Sequence, residues 1–176
     1  MQLPRLFTAA ATALSLSLSL AFAAPAAANT PPVNPPVNPP VNPRAIVVED
    51  VSRADFATTL KGLQEQLTKD GWNIVAEINL GERLAKKGVQ IPGGLVILEL
   101  TSGKYTVPLL KKDETRYVSA LMPCSVSVYG MSDGRVIISR INAGMMAGML
   151  EPQLADAMKK AAAQLDESIA RALAAK

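Results

Sequence analysis

The chain contains no histidine. Ser-His-Asp and Cys-His catalysis, histidine-ligated zinc and the c-type haem attachment motif all need an imidazole, so each is excluded. Cysteine is nearly as scarce: Cys124 is alone among 176 residues, which rules out an intramolecular disulfide. Aromatic residues make up 4% of the chain and the basic residues are scattered. Without a stripe of Lys and Arg interleaved with stacking rings, nucleic acid is not expected as a partner. The formal net charge of +3 is small, and one of the basic residues lies at the extreme N-terminus. No Gly-x-x-x-x-Gly-Lys phosphate loop occurs, and Gly93-Gly94 precedes a strand-like run, the wrong context for a dinucleotide fingerprint. The carboxylates Glu77, Glu82, Glu99, Asp113 and Glu114 are dispersed, with no spacing that argues for a paired acid and base. The absences lean against an enzyme and leave the question open.

What is present begins with a leader. Met1 to Arg5 carries one positive charge, residues 6–23 are apolar but diluted by Ser and Thr, and small residues follow through Ala28. This is the pattern of a secretory signal peptide over residues 1–28, with cleavage expected after Ala23 or Ala28. The competing reading is an uncleaved membrane anchor, since the apolar run approaches the ~20 residues that a spanning helix needs. Nothing later is long and apolar enough to span a bilayer, so after cleavage no stable membrane insertion is expected. The protein is then exported, to the periplasm or beyond. Residues 29–44 carry Pro-Pro-Val-Asn three times over. Proline fixes φ and donates no backbone hydrogen bond, so this reads as an extended spacer, with a docking peptide for a proline-recognising partner as the alternative.

Residues 45–176 are close to the commonest domain size. The stretch from Ala45 to Val51, rich in Ile and Val, reads as a strand. Ser52 is then a helix N-cap, and Phe56, Leu60, Leu63 and Leu67 fall on one helical face that ends at Asp70-Gly71. A second strand runs over 72–78, a short weak helix over 81–87, and a third, central strand over 95–100. One or two helical turns are expected in 105–112, where Pro108 interrupts. Val126 and Val128 alternate with Ser125, Ser127 and Tyr129, and Ser132-Asp133-Gly134 supplies turn chemistry before the apolar run Val136-Ile137-Ile138. That is a β-hairpin, its second strand apolar enough to be covered on both faces. A last helix starts at Glu151-Pro152, with Leu154, Met158, Ala161, Leu165, Ile169 and Leu173 along its apolar face. The expected fold is α+β: a single mixed sheet of about five strands with helices on one face, in β-α-β-α-β-(α)-β-β-α order.

Met122-Pro123-Cys124, a strand ending Val128-Tyr129, an Asp-Gly turn, a strand ending at Asn142 and a Met-rich turn together resemble the domain of unknown function 302 family. Phe56, Leu60, Gly71-Trp72 and Ile78 agree with its helix and following strand. Relatives often carry an Asn-Pro dipeptide at the end of the third strand, where this chain reads Glu99-Leu100-Thr101-Ser102-Gly103-Lys104. The resemblance implies no activity, and it implies a homodimer.

Candidate ligand-binding residues cluster on the hairpin: Cys124, Met122, Tyr129, Arg140 and Asn142. A lone cysteine in an oxidising compartment is a small core residue, an interchain partner or a functional thiol. Core comes first, because free cysteine is among the most buried residue types. As a functional group, Cys124 with Met122 and Met145 would form a soft site suited to copper or haem; the bland alternative for the methionines is core filling. Trp72 reads as core. Asn142 reads first as a cap for the turn after it. Arg135 and Arg140 read as solvated, with Arg140 a possible holder of an anionic group. No cofactor can be named, and the partner, small molecule or protein, stays unidentified.

Overall fold

The computed structural model describes residues 46–175. The expected signal peptide and the Pro-Pro-Val-Asn spacer lie outside the described residues.

Strand β1 spans Val47–Ser52. Ser52 does not cap the next helix as its position suggested. It pairs with Val136 in the sheet, and its hydroxyl accepts from the Ala54 N–H, turning the chain. The cap is Asp55, whose carboxylate accepts from both the backbone N–H and the hydroxyl of Thr58. Those bonds hold the Asp55 carboxyl below its ordinary value. Helix α1, Phe56–Lys69, then buries Leu63 and Leu67 on the face the apolar spacing marked out. It ends at Asp70, with Gly71 at φ +84 and the Trp72 N–H bonded to the Leu67 carbonyl.

Strand β2 is Asn73–Asn79, the short helix α2 is Leu80–Ala85, and β3 is Leu95–Thr101. Helix α3, Gly103–Leu110, includes Pro108 and buries none of its side chains. After an extended Lys112 comes a 3-10 segment, Asp113–Leu121, beyond the helical turns expected in 105–112. The hairpin is β4, Cys124–Gly130, and β5, Val136–Ile141. Its turn forms as expected: Met131 N–H bonds to the Arg135 carbonyl, and Gly134 sits at φ +89, where only glycine is unstrained. The five-residue helix α4, Ala143–Ala147, and the long α5, Pro152–Ala174, complete the chain. Among the described residues no helix is long and apolar enough to cross a membrane.

The five strands form one sheet in the order β1-β5-β4-β3-β2. The expectation of a mixed sheet fails on one point: all four pairings are antiparallel. The reason is topological. β1 and β2, joined through α1, run in the same direction but occupy opposite edges, so they never share a ladder. Every strand that does pair meets a neighbour of opposite direction.

Alternation along the strands separates two faces. Val96, Leu98 and Leu100 of β3, Val126 and Val128 of β4, and Val136 and Ile138 of β5 are buried on the face that meets α1 and α5. Leu63, Leu67, Leu165 and Ile169 close this core from the helices. On the other face Ser125 donates to the Glu99 carboxylate and Tyr129 to the Glu49 carboxylate. Ile137 is on that face too, yet only 5% exposed, as the continuous apolar run of β5 foretold.

One close approach depends on glycine. At Gly130 an added Cβ would overlap the Pro92 carbonyl oxygen and lie 2.7 Å from Gly93 Cα. The backbone of the 92–94 turn crosses there, and Gly130 N–H bonds to the Gly94 carbonyl.

Candidate functional site

At one end of the sheet the helix face is hollow. A cavity of about 550 Å3 lies between the ends of β3 and β5, the start of β4, α3 with its 3-10 extension, α4, and the N-terminal half of α5. Its wall is largely apolar, with Trp72, Leu100, Val118, Leu154 and Leu165 among the lining side chains. Two local features keep it open. The first half of α5 presents Ala157, Ala161 and Ala162 to the space, side chains too short to reach the opposite wall. Across from them, α3 and the 3-10 segment lie over the cavity with Val118 their only buried residue.

Of the five hairpin candidates, the structure brings Met122, Cys124, Arg140 and Asn142 to this cavity. Tyr129 is not there. It alternates with Val128, so it stands on the opposite face of the sheet, bonded to Glu49. Met145 is 45% exposed and does not line the cavity; its neighbour Met146 does, together with Met158. Among the described residues no group of three or more Cys, Asp or Glu is arranged to hold a metal ion.

Cys124 is exposed rather than core. It opens β4 at the sheet's end, where the strand pattern has not yet entered the packed interior. Local desolvation, reinforced by the negative charge of Glu99, pushes its thiol above the ordinary value. The group is therefore a thiol at neutral pH, a weaker nucleophile and metal ligand than a thiolate.

Arg140 reverses its expectation of solvation. It follows Val136 and Ile138 on the core face of β5, and its side chain is 7% exposed. Nη1 donates to Asp50 of β1 and Nε to Asp166 of α5 at 2.6 Å. A buried guanidinium is tolerated because these carboxylates replace its hydration. Asn142 caps α4 as expected, its side chain accepting from the Met145 N–H. Trp72 is core, 3% exposed, and its ring also lines the cavity beside Tyr105 at a centroid distance of 6.3 Å. Its buried indole N–H has no hydrogen-bond partner among the described residues. Tyr105 is tied to α5 by its hydroxyl, which donates to Gln164 at 2.7 Å.

Lys159 and Asp166 are lining residues that the sequence concealed, because both sit in the polar stripe of α5. Their spacing of two helical turns places them on one side of the helix, the only sequence signal that joins them.

No curated protein matches the chain. Among solved structures, the crystal structure of the uncharacterized conserved protein DUF302 from Bacillus stearothermophilus aligns with a TM-score of 0.65. The two are 23% identical, and the alignment covers 72% of this chain and 98% of that one, a likeness of fold alone. The family described as Domain of unknown function DUF302 matches residues 48–175, the sheet, its helices and the cavity between them, and the chain belongs to that family.

Proposed function

We propose that this chain is an exported, non-enzymatic binding protein that holds a small, largely apolar molecule in the cavity at the end of its sheet. The cavity carries the reading: its volume of about 550 Å3 falls within the ~300–1,000 Å3 typical of small-molecule sites, and such sites combine apolar walls with a few polar groups. Arg140, Asn142, Lys159 and Asp166 are among those groups here, and Met122 and Cys124 also line the cavity. Export rests on the leader pattern of residues 1–28. A homodimer is proposed from family resemblance.

One observation favours a second reading. Met122, Cys124, Met146 and Met158 line the same cavity, and sulfur ligands suit copper(I) or a thioether-contacted haem. The raised thiol of Cys124 weighs against it, since metal binding must first remove that proton.

Native mass spectrometry of protein recovered from the exported fraction, beside Cys124→Ser, tests both. An organic adduct retained in both proteins supports the apolar-ligand reading; a metal or haem lost in the variant supports the second. The same spectra give the N-terminus and the number of subunits. Protein that is empty in both forms, and stays empty when offered apolar ligands, ends the first reading.

A further inference from the structure

We infer that the molecule this cavity takes is uncharged, an apolar body with one hydrogen-bonding oxygen, and that the Ser102 hydroxyl at the end of β3 receives that oxygen. The inference rests on the binding reading above and adds the class of ligand: an apolar alcohol or carbonyl compound.

The charges in the wall set the first half of it. Among the described residues, Arg140, Lys159 and Asp166 are the only charged side chains that line the cavity. The Arg140 guanidinium is already bonded by two carboxylates, Asp166 and, from outside the wall, Asp50. An anionic head placed there would face two carboxylates for one cation. A cationic head would have to take those carboxylates from Arg140. Lys159 is exposed, so water screens its charge. Burying a charge without a counter-ion is costly, so the cavity favours a molecule that carries none.

An uncharged polar group sets the second half. Ser102 follows the last pair of the β2–β3 ladder, Asn73 with Thr101, and stands on the same face as Leu100, in the cavity wall. It is 4% exposed. Although it precedes α3, its hydroxyl makes no capping bond and has no partner among the described residues. Across the ladder, Trp72 precedes β2, and its unpartnered indole N–H is sealed within the protein. The Ser102 hydroxyl is not sealed, so it is the group that a ligand reaches. Buried polar groups are nearly always hydrogen-bonded, and an accessible hydroxyl without a partner in an apolar wall calls for an oxygen on the ligand. A pure hydrocarbon would cover that hydroxyl and give nothing back. A hydroxyl or carbonyl oxygen completes it while the rest of the molecule stays in apolar contact.

Trp72 is the only tryptophan in the chain and lines the cavity, so its emission reports occupancy. The test is a titration of the parent, Ser102→Ala and Ser102→Thr with octan-1-ol, octane, octanoate and octyltrimethylammonium. Octan-1-ol is expected to bind the parent about tenfold or more tighter than either charged molecule. Ser102→Ala is expected to weaken octan-1-ol about 3–10-fold, the margin of one neutral hydrogen bond, and to leave octane unchanged. Ser102→Thr keeps the hydroxyl and is expected to keep the affinity for octan-1-ol. Either charged molecule binding the parent as tightly as octan-1-ol overturns the uncharged-ligand inference and leaves the cavity reading standing. Octan-1-ol affinity unchanged in Ser102→Ala, or lowered in step with that of octane, removes Ser102 from the site and overturns the inference as stated. No change in Trp72 emission with any of the four overturns the cavity reading and this inference together.

Discussion

The two ends of the helix-covered sheet face use the same elements and differ in how they are filled. Towards Gly130 and Val136, Leu98, Val128 and Ile138 meet α1 and the C-terminal half of α5, where Leu165, Ser168 and Ile169 are buried. Towards Cys124 and Arg140, the N-terminal half of the same helix supplies alanines, and the opposing cover of α3 buries nothing. One helix thus builds a packed core with one half and a cavity wall with the other. Backbone position is shared; side-chain volume decides which end is solid. Among the described residues, both ion-pair sites that join separate elements belong to the hollow end: Asp70 and Arg171 tie α1 to α5 just before the cavity-lining Trp72, and Arg140 is held by Asp50 and Asp166.

The comparison is broken most severely by emptying the packed end. Leu98 is fully buried, and Leu98→Ala is expected to cost about 2–5 kcal/mol in urea denaturation, because the surrounding core cannot collapse onto the gap. Gly130→Ala, also at that end, is expected to cost about 1–3 kcal/mol, since the atoms it strikes are backbone and cannot swing away. The hollow end should respond in the opposite sense. Ala157→Leu adds volume where there is space; stability should hold or rise by about 0.5–2 kcal/mol while affinity for an apolar ligand of the cavity falls about tenfold or more. Comparable destabilisation by Ala157→Leu and Leu98→Ala would erase the distinction between the ends.

Acid tests the tie between α1 and α5 beside the cavity. Burial raises the Asp70 carboxyl, but bonds from Gln66, Arg171 and Ser168 together outweigh it and hold the group at about 2. A depressed carboxylate stabilises the fold above its ordinary value near 3.8, and that contribution is lost as pH falls towards 2. Urea midpoints measured across that range should fall less steeply in Asp70→Asn than in the parent. The smallest effect is expected at Cys124. Being exposed, it should react with iodoacetamide in the folded protein, faster as pH rises, and Cys124→Ser should change stability by less than about 0.5 kcal/mol.

Much of the fold was legible because it is written in local chemistry. The apolar steps from Phe56 to Leu67, Gly71 after the helix, the Asp133-Gly134 turn and Pro152 at a helix start each act within a few residues, and each led to the element found. The misreadings have local causes as well. Ser52 and Asp55 are both good caps, and only pairing with Val136 took Ser52 into the sheet. The 3-10 segment over Asp113–Leu121 has neither a clean helical period nor strand alternation to announce it.

The cavity was legible only in part. The hairpin drew attention to Met122, Cys124, Arg140 and Asn142 by position, while the alternation of Tyr129 with Val128 already carried Tyr129 to the opposite face. Residue types, short motifs and short-range periodicity were enough to establish the five strands and the two main helices, the α+β class, the family resemblance and the lack of imidazole chemistry. Strand order, the wholly antiparallel pairing, the burial of Arg140 between carboxylates from β1 and α5, and the hollow under α3 came from the folded chain. These depend on contacts between residues as far apart as Asp50 and Arg140, and on volumes that must be summed across several elements before a space can be called filled or empty.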